Sequence, residues 1–162
     1  DFVDNLNNFF DGQFEDEDTQ YSQYLTFFVD NQLYGIPISD VEQITGMKEI
    51  TVVPEFPEYA KGVMDLRGII IPIIDIRIRL KREEIADSRR CIIITKTDDS
   101  HMGFIVDSVS DVININNKDI TNPKIGSDYV NTYITGMTEL SGKIILLMDL
   151  NKIISLEELS VL

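Results

Sequence analysis

The stretch GVMDLRGIIIPIIDI, Gly62 to Ile76, returns 74 positions later as GMTELSGKIILLMDL, Gly136 to Leu150. Aligned without a gap, the two have six identities and five conservative exchanges. Each copy reads as an apolar run, a break at Arg67-Gly68 or Ser141-Gly142, and a second apolar run closed by Asp75 or Asp149. Glycine adopts positive φ without a side-chain clash, so each break predicts a tight turn between paired strands. A second echo lies upstream, where YGIPISDV from Tyr34 matches MGFIVDSV from Met102 at an offset of 68, which places a six-residue insertion between the motifs of the second copy. The chain is therefore read as a duplicated module, in which shared positions serve the fold and unshared ones are free for another duty. Arg67 is unshared, its counterpart being Ser141.

Flanking segments carry β patterns. YLTFFV (Tyr24 to Val29), a turn at Asp30-Asn31 and QLYGIPI (Gln32 to Ile38) predict a hairpin, and CIIITKT (Cys91 to Thr97) with HMGFIV (His101 to Val106) predicts its counterpart. Ser39 and Glu42 have the spacing of a capping box and predict one helical turn, while ITVVP, Ile50 to Pro54, predicts a strand. Asn114 to Tyr129 is rich in Asn, Asp and Lys and is expected as a surface loop. Asp149 is placed to cap a short helix. About five short strands per copy with little helix favour small barrels or a sandwich. A core of about 70 residues rarely supplies more than about 3 to 5 kcal/mol, so the halves should pack together and leave a groove along their seam. The expected division is an acidic, flexible segment over 1–20, a first barrel over 21–80, a second over 88–150 and a C-terminal helix over 150–160.

The formal net charge is −14, and residues 1–20 hold seven acidic side chains and no basic one. Such a chain repels nucleic acid and anionic lipid surfaces. Its longest apolar run, Gly68 to Ile74, is far short of the roughly 20 residues of a spanning helix, so no direct membrane insertion is expected. With Cys91 as the only cysteine and no signal peptide in view, a soluble cytoplasmic chain is expected. The basic cluster Arg77, Arg79, Lys81, Arg82, Arg89 and Arg90 is diluted by acids and reads as a solvated linker.

Catalytic chemistry is not expected. His101 is the single histidine, and one His with one Cys cannot assemble a zinc ligand set. Cys91 opens an apolar strand, where burial makes a thiol inert. Asp75 and Asp149 are equivalent in the two copies, and capping of backbone N–H groups explains both. No cofactor or metal site follows from any motif.

The run from Gly62 to Arg77, with GIPISDVEQI before it and GFIVDSVSDVI after it, resembles the CheW family of bacterial chemotaxis coupling proteins over about Tyr24 to Ile154. The resemblance implies an all-β fold of two pseudo-repeated five-stranded SH3-like β-barrels packed together, with short helices. It implies a non-catalytic adaptor between the cytoplasmic tip of methyl-accepting chemoreceptors and the regulatory domain of the chemotaxis histidine kinase, at membrane-bound receptor arrays. Motif matching carries receptor binding to Arg67, Val41, Gln43, Gly62, Ile92, Gly103 and Val112, with Ile92 and Val112 on the second-barrel side, and kinase binding to Ile38 and Val41. One position departs from the family pattern: V-E-Q-I at Val41 to Ile44 places Gln43 where the family often has Glu, so either the charged contact is missing or Glu42 supplies it in a shifted geometry. A planar guanidinium suits recognition of a helical tip in a groove. The competing duty for Arg67 is an ion pair with Asp65. Two other functions compete, a peptide-binding SH3-like module using Tyr24, Phe27, Phe28 and Tyr34, and an enzyme with Asp75 and Asp149 in one cleft.

Overall fold

The apolar runs and two-residue turns become ten strands in the computed structural model, which describes residues 2–11, 20–97, 100–122 and 133–154. They are β1 (Tyr21–Val29), β2 (Gln32–Pro37), β3 (Val41–Gly46), β4 (Ala60–Leu66), β5 (Ile69–Asp75), β6 (Cys91–Thr97), β7 (Ser100–Val106), β8 (Ser108–Asn116), β9 (Ile134–Leu140) and β10 (Lys143–Met148). Helix α1 spans Phe2–Asp11, and α2 spans Ile76–Arg79. The strands form two five-stranded sheets, ordered β8-β1-β2-β10-β9 and β3-β6-β7-β5-β4, and each is an SH3-like barrel unit.

The two repeats, β1 to β5 and β6 to β10, are exchanged between these units. Each gives its first hairpin to one barrel and its last three strands to the other, through parallel pairs β2–β10 and β7–β5. This corrects the expected division at residues 80–88: β1 and β2 belong with β8 to β10, and β3 to β5 with β6 and β7. The physical reason is the connection after β2. A single 3-10 turn, Ile38–Asp40, carries the chain straight from one sheet into the other, whereas parallel strands need a long crossover between them.

Burial follows the same plan. Ile115, Ile145 and Leu147 fill one barrel, and Met64, Ile71, Ile73, Ile92, Ile94 and Ile105 fill the other. A larger cluster that includes Leu25, Phe27, Ile36, Ile44, Ile74, Ile93 and Phe104 joins the two. Strand β6 lies between them: Ile92 and Ile94 point into their barrel and Ile93 into the shared core, which is why it reads as a continuous apolar run.

Hairpin turns match expectation and add a constraint. Arg67 and Ser141 adopt φ of 54° and 53°, ahead of Gly68 and Gly142 at 87° and 80°, so both turn residues are left-handed, as the twist of a two-residue hairpin demands.

Several local expectations differ. Ser39 and Glu42 form no capping box, because strand β3 begins at Val41 and the turn before it has no side-chain cap. Ile50 to Pro54 contributes one bridge, Thr51 to Val63, in place of a strand. Asn114 to Asn116 complete β8, and the expected helix beyond residue 154 lies outside the described residues. Where flexibility was expected over 1–20, Phe2–Asp11 form a helix against β3. The basic cluster is not a bare linker. Arg77 pairs with Asp107 at 2.9 Å and Asp30 at 3.3 Å, Arg82 with Asp30, Arg89 with Asp87, and Arg90 with Asp75. Arg79 donates to the Ile153 carbonyl at 2.6 Å and lies over the Tyr59 ring, holding Ile153 against α2.

Candidate functional site

Arg67 stands at the tip of the β4–β5 hairpin, exposed, with no hydrogen bond or ion pair among the described residues. The competing pair with Asp65 is not formed, since that carboxylate accepts the Gly68 N–H at 2.8 Å instead. The turn is thus closed without the guanidinium. Ile69 and Ile70 beside it are 45% and 58% exposed, and Leu140 and Ile144 repeat the feature on the β9–β10 tip at 44% and 51%. Two equivalent apolar tips result, with Arg67 in the turn itself on one, and Ser141 in the turn with Lys143 opening the next strand on the other.

The other family-matched positions divide into two groups. Val41 opens β3 and Val112 lies in β8, on different sheets, yet both pack into the shared cluster at the seam. Gln43 is half-buried between Val41 and Ile44. Glu42 does not take over its charge, because its carboxylate meets His101 Nε2 at 2.9 Å. Gly62, Ile92 and Gly103 all belong to the β3–β7 barrel. Ile92 is fully buried there, on the Arg67 side rather than on the far barrel. A Cβ on Gly103 would press on Ile73 and Ile92, and one on Gly62, at φ 144°, would collide with the Thr51 carbonyl. These three shape the barrel and present no side-chain surface. Ile38 is likewise buried, at 5% exposure.

Sequence reasoning missed α1. The helix lays Leu6 into the shared cluster with Val3 and Phe10 beside it. Asn7 Nδ2 donates to the Ile44 carbonyl at 3.0 Å, and its Oδ1 accepts the Ile44 N–H at 2.9 Å. Strand β3 is an edge of its sheet, so Asn7 supplies the pair of bonds that a neighbouring strand would give. The recurrence of Phe2, Val3, Leu6, Phe9 and Phe10 at helical spacing was the available signal.

The chemistry of the remaining candidates is structural. Asp75 accepts the Ile78 N–H and Asp149 the Asn151 N–H, so each carboxylate is turned onto a cap. Burial raises the Asp75 pKa, opposed by the Ile78 N–H and Arg90. Burial also pushes the Cys91 thiol up to about 11, which keeps it protonated and inert. Phe27 is fully buried with Tyr34 stacked on it at 5.9 Å, and Tyr24 packs against Ile115, Ile145 and Leu147, so three of the four aromatic residues named for peptide binding serve packing, and Phe28 is half-buried. Among the described residues no group of three or more His, Cys, Asp and Glu could hold a metal, and no helix is long and apolar enough to cross a membrane.

Two interlocked SH3-like barrels with exposed apolar tips and side chains committed to packing and capping define a scaffold-type, protein-binding architecture. Comparison with known proteins specifies it. The CheW-like domain family matches residues 23–158. The chain is 32% identical to the chemotaxis protein CheW of Klebsiella aerogenes over 145 residues, covering 88% of this chain and 87% of that one. It is 32% identical to CheW of Thermotoga maritima over 141 residues, covering 86% and 90%. The crystal structure of the scaffolding protein TtCheW from Thermoanaerobacter tengcongensis superposes with a TM-score of 0.73 at 30% identity, over 79% of this chain and 88% of that one. The chain belongs to the CheW family of chemotaxis scaffold proteins.

Proposed function

We propose that this chain is a non-catalytic adaptor that couples methyl-accepting chemoreceptors to the chemotaxis histidine kinase, acting in the cytoplasm at membrane-bound receptor arrays. The observation that carries the reading is Arg67: exposed, free of intramolecular bonds among the described residues, and held in a left-handed turn whose duplicate has Ser141. A non-glycine residue in that conformation costs about 1 kcal/mol in both copies, so what sets Arg67 apart from Ser141 is its free guanidinium and not its backbone. Gln43 and Val112 supply amide and apolar surface at the seam, and the buried Val41 belongs to the cluster that Val112 packs against. Gly62, Ile92 and Gly103 support the receptor site by shaping the barrel, and the buried Ile38 shares the core cluster of Val41. The exposed hairpin tips, Ile69 and Ile70 on one barrel and Leu140 and Ile144 on the other, suit the kinase regulatory domain.

A ternary pull-down tests the reading, with the full chain, a soluble chemoreceptor tip hairpin and the kinase regulatory domain. Recovery of all three together is expected. Recovery of neither partner with the chain rejects the adaptor function.

A further inference from the structure

Helix α1 precedes the CheW-like match at residues 23–158, so it is an addition to the family domain. It has little reason to be a helix by itself. Ten residues are too few for an isolated helix in water, three of them are Asn, and the last turn has no basic residue to meet the dipole. Its order comes from docking. Leu6, Val3 and Phe10 enter the same apolar cluster that Val41 and Val112 join from the two sheets. Both Asn7 bonds go to Ile44, whose N–H and C=O must therefore point away from β6, to the open side of the sheet. The docked helix is thus an acidic, amphipathic segment seated on the β3 edge of the seam. That surface accepts a helix, because one is already on it.

We propose that α1 is an intramolecular occupant of the seam, which an amphipathic helix of the chemoreceptor tip must displace in order to bind at Val41 and Val112. This rests on the adaptor reading and adds regulation to it: a weak helix in cis sets a threshold for a stronger helix in trans. When the open form is one tenth of the population, apparent affinity falls about tenfold, and releasing α1 restores it.

Three full-length proteins test this: wild type, Asn7→Ala, and the double variant Asn5→Ala with Asn8→Ala, which replaces exposed asparagines by a stronger helix former. The Leu6 amide, inside α1, is the reporter, because Asn7→Ala removes the acceptor of the Ile44 N–H directly and Ile44 exchange in that variant would rise even with α1 docked. Asn7→Ala is expected to speed hydrogen exchange at Leu6 about tenfold while the β6 amides hold, and to tighten binding of a soluble chemoreceptor tip hairpin about tenfold. The double variant is expected to slow exchange and weaken binding. Equal tip affinity in all three proteins overturns the proposal and leaves the adaptor reading standing. Unchanged Leu6 exchange in Asn7→Ala overturns it too. If no variant binds the tip although Leu6 exchange shows α1 released, the adaptor reading fails and the proposal with it.

Discussion

Arg67 and Gly62 show how differently two residues of one strand pair can be employed. Arg67 sits at φ 54° with its side chain in solvent, so replacement by glycine relieves backbone strain and removes the guanidinium together. Arg67→Gly is expected to raise stability by about 0.5 to 1 kcal/mol in denaturant unfolding and to weaken chemoreceptor-tip binding by tenfold or more in calorimetry. Unchanged binding would return Arg67 to the structural residues. Gly62 is the opposite case. Its φ of 144° is in the region reserved for glycine, and the Thr51 carbonyl occupies the space a Cβ would need. That contact holds the Thr51–Val63 bridge, closed by N–H donation in both directions at 2.8 and 2.9 Å. Gly62→Ala is expected to cost roughly 3 kcal/mol or more, read as a large fall in melting temperature, and to lower binding only through loss of folded protein.

Among the elements, α2 and its cap connect chain order to electrostatics. Asp75 ends β5, caps α2 through the Ile78 N–H and meets Arg90 at 3.5 Å, all while 2% exposed. Burial is the largest influence and raises its pKa above the ordinary 3.8. The folded state therefore holds this proton more tightly than the unfolded chain. The stability it contributes is fully present below pH 3.8 and is lost as pH rises through the folded value. Asn in its place cannot titrate and still offers an oxygen to the cap. The stability difference, wild type minus Asp75→Asn, is expected to fall as pH rises above 3.8 in urea unfolding. A difference that grows with pH would show that Arg90 outweighs burial. Arg77 works nearby in the other direction, with its charged form held by the hydrogen bond to Asp107, and it ties α2 to the β1–β2 turn through Asp30.

For the whole molecule, the exchange of hairpins makes the halves interdependent. A fragment ending near residue 85 has β1 and β2 without β8 to β10, and β3 to β5 without β6 and β7. Neither half can close a barrel or bury the shared cluster. Fragments 1–85 and 86–162 are expected to be unfolded apart by circular dichroism and to form a 1:1 folded complex when mixed, whereas the intact chain unfolds in a single transition. A half that folds alone would contradict the observed pairing. The same exchange gives the seam its stability, because each repeat crosses it and a partner bound there meets a fixed surface rather than a hinge.

The repeat, the two-residue turns, both aspartate caps and the singular Arg67 were legible in the amino-acid sequence, because periodicity, glycine placement and capping act over a few residues. Family likeness then supplied a barrel pair that local patterns alone had left open between barrel and sandwich. Tertiary structure decided the rest. Which hairpin joins which barrel depends on parallel pairing of strands more than a hundred residues apart, Leu33 with Ile145, and no local signal encodes it. The arginines of the α2 region found partners on distant turns, which turned an expected linker into a set of ion pairs. Ile92 and Gly103 proved to be interior, since burial is set by both faces of a strand and not by its motif. A weak acidic opening became the helix α1 only because the β3 edge offered its apolar face a cluster and Asn7 a pair of backbone groups.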